Sequence, residues 1–217
     1  MKSTVILALA ILTGIGCTAG AAKKKKKLKV DKEGFTVIFD GSSLDGWKIN
    51  EREKSWKLKD GIIVANGNRS HLFYMGDKKP FKNFEFKAEV KTKRGSNSGI
   101  FFHTKFQKEG WPKQGYESQV NNTQGDPQKT GGLYNTQKVS AKKNKAKDDK
   151  WWTQHIIVKG NHIVVKIDGK TVVDYKEPKG RKAYPRLSQG GGTFALQAHD
   201  PGSTVMYRNI RVKRLKD

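Results

Sequence analysis

SNSGIFFHTKFQKEGWPKQGYESQVNN, residues 96–122, contains two short runs that alternate as strands do. In the first, Ile100 and Phe102 face one way while Phe101, His103 and Lys105 face the other. In the second, Tyr116, Ser118 and Val120 oppose Glu117, Gln119 and Asn121, because successive side chains of a strand point to opposite faces. A row of Glu, Gln and Asn is costly to bury unless each group is hydrogen-bonded. The row is therefore either a solvated outer face or the floor of a polar cleft, for which a sugar-sized ligand is one fitting partner.

The flanking sequence extends the β reading. Phe84, Phe86, Ala88 and Val90 alternate with Glu85, Lys87, Glu89 and Lys91, the pattern of a half-buried strand. Phe35–Phe39 is β-rich and ends in Asp40-Gly41, and Leu44-Asp45-Gly46-Trp47 forms a second turn. Asp60-Gly61 joins Trp56–Leu58 to Ile62–Ala65. Gly160-Asn161 and Asp168-Gly169 punctuate Trp152–Val158, Ile163–Ile167 and Thr171–Tyr175 into a three-strand meander. Asp126–Tyr134 reads as a loop entering a short strand, and Ser140–Lys150, lysine-rich and weakly apolar, as a mobile surface loop. Thr193–His199 and Val205–Val212 close the domain around Asp200-Pro201-Gly202. No segment after the leader sustains a helical period over three turns. Short strands with Gly, Asp and Asn turns predict an all-β sandwich or jelly roll.

The first 17 residues read as an export signal: Lys2, an apolar run Val5–Leu12, then small residues to Cys17. The run is too short for a permanent membrane helix. Cys17, the single cysteine, sits where a bacterial lipoprotein would be cleaved and acylated, although Gly14 replaces the usual Leu. The expectation is an exported, cell-envelope protein held to the membrane by a lipid anchor, with a plain secretory signal as the alternative. Residues 18–33 form a lysine-rich spacer, and residues 34–217 the domain. The chain carries a net charge of +24, and removing the seven lysines of residues 1–29 leaves +17 on the remainder. Such a surface favours anionic partners, acidic glycans among them. No nucleic-acid-binding motif is present, and an exported chain is not expected to meet nucleic acid.

Four pieces in order carry a resemblance. They are Phe39-Asp40-Gly41 with Leu44 and Trp47, then Asn97–Phe102, then Gly115-Tyr116-Glu117 with Gln119. The fourth is Phe194–Gln197 with His199-Asp200 and Tyr207–Ile210. Together they resemble the 3-keto-disaccharide hydrolase family, whose domains include 3-keto-glucoside 1,2-lyases and 3-keto-2-hydroxy-glucal hydratases. The resemblance covers roughly Gly34–Leu215. It implies a concanavalin A-like jelly-roll sandwich of two antiparallel sheets that holds a glycoside on its concave face. It also implies cleavage by C2 proton abstraction and β-elimination at C1, with hydration of the glucal giving net hydrolysis.

On that reading Glu117 and His199 are the candidates for proton transfer, since each lies on a strand in a matched motif. Gln119 shares a face with Glu117 and Gln197 with His199, so both amides are candidate substrate ligands. Asp200 either orients His199 or starts the turn. Trp111, between the two central strands, is the candidate sugar-stacking residue. Trp47 is expected in the core, His155 and His162 at the surface, and His71 in a turn-rich segment with a packing or capping role. His103 departs from the family, which often has Arg there. These residues fix no cofactor, and His103, Glu117 and His199 would suit a divalent metal ion. The competing readings are a non-catalytic carbohydrate-binding module on the same sandwich and an envelope structural protein that adheres to anionic polymer.

Overall fold

Amphipathic strands must bury their apolar faces against one another, and here two antiparallel sheets do so. The structure, a computed structural model, describes residues 28–216. In chain order the strands are β1 (Thr36–Phe39), β2 (Trp47–Ile49), β3 (Trp56–Lys59), β4 (Ile62–Asn66), β5 (Ser70–Tyr74), β6 (Phe84–Thr92) and β7 (Asn97–Thr104). They continue as β8 (Tyr116–Asn121), β9 (Trp152–Lys159), β10 (His162–Ile167), β11 (Lys170–Lys176), β12 (Thr193–Ala198) and β13 (Thr204–Arg214). A 3-10 turn occupies Glu53–Ser55.

The larger sheet runs β11-β10-β9-β6-β13-β4-β3, and β1 also pairs with β13. The smaller sheet runs β2-β5-β12-β7-β8. This is the expected all-β jelly-roll sandwich. Alternation sets the inner faces: Phe84, Phe86, Ala88 and Val90 of β6 are fully buried, while the charged residues between them are half-buried on the outer side. Phe194 of β12 sits at the centre of the core. Its ring centroid lies 4.6 Å from that of Phe86 and 4.9 Å from those of Phe81 and Phe84. The Asp-Gly turns take the positive φ that a two-residue hairpin demands, with Asp168 at 47° and Gly169 at 77°.

Three sequence expectations change. Residues 70–74, read as turn-rich, form the fully buried strand β5, because the short run lies in the middle of a sheet. The 140–150 loop is pinned rather than loose. Asp148 accepts hydrogen bonds from Thr92, Asn122 and Thr123, Asn144 donates to Asn122, and Ala146 is buried. Residues 126–134 add only isolated bridges at Leu133 to Ser118 and Gln137, not a strand.

The expected export signal and the expected acylation site Cys17 lie outside the described residues, as does most of the lysine-rich spacer. From residue 28 on, that spacer is attached to the domain: Val30 bridges Thr36, Asp31 pairs with Arg211, and Glu33 pairs with Lys87.

Phe194→Ala would empty the centre of this aromatic cluster. A loss of about 3–5 kcal/mol is expected, read as a lower urea midpoint with an unchanged denaturant slope.

Candidate functional site

The outer face of the smaller sheet is where the polar row lies. Tyr116 and Val120 of β8 point into the main core, so Glu117 and Gln119 must point away from it. Instead of meeting solvent they are covered: Glu117 is 8 % exposed and Gln119 2 %. They line a cleft of about 680 Å³, a volume that suits a small-molecule site. Asn97 and Phe101 of β7 and Gln197 of β12 share the floor.

The carboxyl of Glu117 lies across Gly99 of the neighbouring strand. A Cβ on Gly99 would come within 2.6 Å of Glu117 Cγ, so only glycine leaves room for this path. Beyond Gly99 the carboxyl reaches Gln197, whose Nε2 donates to Glu117 Oε1 at 3.2 Å. Gln119 Nε2 donates to Asn97 Oδ1 at 2.6 Å. Each of these two amides therefore keeps its own Oε1 buried and unpartnered. Burial pushes the Glu117 carboxyl up to about 8, and the nearby charge of Asp126 adds to the rise; the single bond from Gln197 does not offset them.

His199 follows β12 directly and stands on the cleft wall. Its Nδ1 bonds Asp200 Oδ2 at 2.7 Å. That oxygen also accepts from Ser203 Oγ, and Asp200 Oδ1 caps the turn by accepting from Gly202 N. Asp200 thus does both things open to it, orienting the imidazole and starting the turn. Partial burial works against its charge, yet these donors outweigh burial and hold the carboxyl below the usual range. With Nδ1 committed to the carboxylate, His199 has Nε2 left for chemistry.

Trp111, 43 % exposed, closes one side, its ring 5.4 Å from that of His199. Its loop is held by Gly110 N donating to Glu51 Oε1 at 3.0 Å, and Arg69 lies over the indole at 5.6 Å. Lys113, Asp126, Tyr134 and Tyr184 complete the lining.

Of the expected site residues, Glu117, Gln119, Gln197, His199 and Trp111 line one cleft, and Asp200 touches it through His199. His103 is elsewhere. Between β7 and β12, Thr104 pairs with Thr193 but Phe101 pairs with Ala195, so β7 carries one extra residue. His103, with φ of 53°, sits in that bulge and reverses the expected alternation. Its ring turns toward Phe84 and Phe102. Nε2 donates to Lys82 O at 2.8 Å, and Nδ1 accepts from Ser188 N at 3.1 Å. Both nitrogens are used in holding loops together, so His103 is neither a substrate ligand nor part of a metal triad with Glu117 and His199. Among the described residues no group of three or more His, Cys, Asp or Glu side chains could hold a metal ion.

Trp47 is in the core, donating Nε1–H to Ile38 O. His155 and His162 pair with Glu85 and Asp174 on the other sheet. His71, expected to pack or cap, instead lies on the cleft side of β5, beneath Trp111. The signal that would have found it is the alternation of Ser70–Tyr74, too short to distinguish from a turn.

Over residues 34–213 the sequence matches the family described as the 3-keto-alpha-glucoside-1,2-lyase-like domain. The chain belongs to this family. A 3-keto-disaccharide hydrolase of Bacteroides thetaiotaomicron is 36 % identical over 85 residues, which are 35 % of this chain and 29 % of that protein. The matched part is thus under a third of the relative's length. The fold resembles a crystal structure from Parabacteroides distasonis described as a candidate glycosyl hydrolase. Its TM-score is 0.70 at 24 % identity, covering 85 % of this chain and 95 % of that one. A carbohydrate-binding module from Bacillus subtilis matches with a TM-score of 0.54 at 12 % identity, covering 77 % of this chain and 95 % of that one.

Glu117 has a stability signature. Its folded pKa of about 8 exceeds the ordinary 4.5, so between those values the folded state holds a proton that the unfolded chain has released. Stability then falls as pH rises through this window, by up to about 1.4 kcal/mol per pH unit. Urea midpoints at pH 5 and pH 8 should show wild type losing stability relative to Glu117→Gln; parallel curves would contradict the buried carboxyl.

Proposed function

We propose that this protein cleaves 3-keto-glycosides, with His199 as the base and Glu117 as the acid. The observation that carries the assignment is the contrast between their surroundings within one cleft. Glu117 is kept protonated by burial, whereas His199 is oriented by an ionised Asp200. A carboxyl that keeps its proton beside an imidazole with one nitrogen free is the arrangement that an acid–base pair needs.

A ketone at C3 acidifies the hydrogen on C2. His199 Nε2 takes that proton, and its electron pair passes into the enolate at O3. Lys113, on the cleft lining, favours that negative charge electrostatically. The enolate then re-forms the ketone as C1=C2 forms and the C1–O1 bond breaks, and Glu117 gives its proton to the departing O1. The products are an alcohol and a 2-hydroxy-3-keto-glucal. Addition of water, with hydroxyl to C1 and a proton to C2, completes a net hydrolysis. Gln119 Oε1 and Gln197 Oε1, buried acceptors without partners, are suited to substrate hydroxyls, and Trp111 to the apolar face of a sugar ring. This route differs from the two-carboxylate displacement of ordinary glycosidases.

The family, the name of the Bacteroides relative and the glycosyl hydrolase likeness support a hydrolase acting on carbohydrate. The likeness to a carbohydrate-binding module favours a second reading, binding without turnover. An exported, membrane-tethered location fits either.

Incubation with methyl 3-keto-α-glucoside, followed by NMR, separates the two. The enzyme reading expects loss of substrate with release of methanol. Glu117→Gln and His199→Ala should each slow it by about 10²-fold or more, and the wild-type rate should decline as pH rises through about 8, where Glu117 ionises. Sugar binding without turnover would establish the binding module. Wild-type rates in both variants would place the chemistry on other residues.

A further inference from the structure

Beneath the cleft the outer face of the smaller sheet continues from β12 onto β5. In the pairing of β12 with β5, Gln197 stands opposite His71. The outer-face residues of β5, His71 and Phe73, pack with Phe101 rather than with the main core. His71 is 0 % exposed, and neither ring nitrogen has a hydrogen-bond partner. Eight buried side-chain polar atoms among the described residues lack a partner; four of them, His71 Nδ1, His71 Nε2, Gln197 Oε1 and Gln119 Oε1, lie on this one outer face of the smaller sheet.

Two unpartnered nitrogens in an apolar surround are costly, so a packing role alone gives no reason for histidine over an apolar residue. The ring that packs on the imidazole from the cleft is that of Trp111. Trp111 lies edge-on above it, with ring centroids 5.6 Å apart. The indole is partly exposed, belongs to a loop, and is retained by Arg69 and by Gly110's bond to Glu51.

We propose that His71 is a further carbohydrate-binding residue of this cleft, uncovered when Trp111 swings aside, and that it recognises a vicinal diol of the glycoside. A neutral imidazole offers one donor and one acceptor, and two adjacent hydroxyls offer the complementary pair. Burial pulls the His71 pKa down to about 3, with the Arg69 and His199 charges adding to the fall and Glu51 opposing it. The covered ring is therefore neutral. Gln197 Oε1, beside it in the row, accepts from a third hydroxyl.

This inference rests on the cleft taking a glycoside, as proposed above, and the test keeps the two apart. In protein labelled at histidine nitrogens, the His71 ring signals should shift on titration with methyl α-glucoside, which lacks the ketone and cannot eliminate. His71→Phe, which fills the space without nitrogens, should raise the thermal midpoint of the free protein. It should also raise KM for methyl 3-keto-α-glucoside by about tenfold or more, with a smaller change in kcat. His71→Gln, which keeps a donor and an acceptor, should retain most of the affinity. Turnover with unmoved His71 signals, an unchanged KM in His71→Phe, or a lowered midpoint in that variant would overturn the subsite alone. Shifted His71 signals without turnover by wild type would support the subsite and overturn the enzyme. No shift and no turnover would sink both.

Discussion

A carboxyl kept out of water fixes the character of this cleft. Glu117 can occupy its place only because three strands cooperate. β8 aims it away from the core, β7 offers a glycine for it to cross, and β12 supplies the amide that meets it. Solvating Glu117 would restore an ordinary carboxylic acid, ionised at neutral pH and without a proton to give. The low-dielectric surroundings that make it useful also make it expensive, since one hydrogen bond is a thin substitute for hydration. The rest of the sandwich offsets that expense, chiefly through the aromatic cluster around Phe194.

The two faces of the smaller sheet divide the labour. Its inner face carries Leu72, Tyr74, Ile100, Phe102, Tyr116 and Leu196 into the main core. Its outer face holds a second, minor apolar patch of Phe73, Phe101 and Ala195, with Phe106 packed against it. That patch forms a dry border beside the polar floor. The polar side chains thus project from strands, while Trp111 stands over them from a loop.

Much of this was legible in the residues. Alternation predicts which side chains of 96–122 share a face, and the Asp-Gly pairs predict the hairpins, because both signals are local. That the polar row is a floor rather than a wet exterior is not local, since Trp111, Tyr134 and Tyr184 arrive from three separate loops. His103 shows how alternation fails: one extra residue in β7 turns the ring inward, and nothing in Ile-Phe-Phe-His-Thr announces a bulge. His71 shows the opposite failure. Its strand is five residues long and buried on both sides, and such a run has no polar face to reveal its period. The role of Asp200 was undecidable from sequence because a carboxylate has two oxygens, and here they serve different partners.

One feature of the topology bears on how the chain is made. β13 is flanked by three strands, β6 along one edge and β1 and β4 sharing the other. It is also the final strand in the described order. During synthesis, then, the strands that will border it wait with open edges, including β1, whose partner lies about 170 positions further along. Closure of the larger sheet consequently waits until β13 has been made. Strands that wait unpaired are prone to pair wrongly, and a net charge of +24 is the kind of self-repulsion that opposes association between copies.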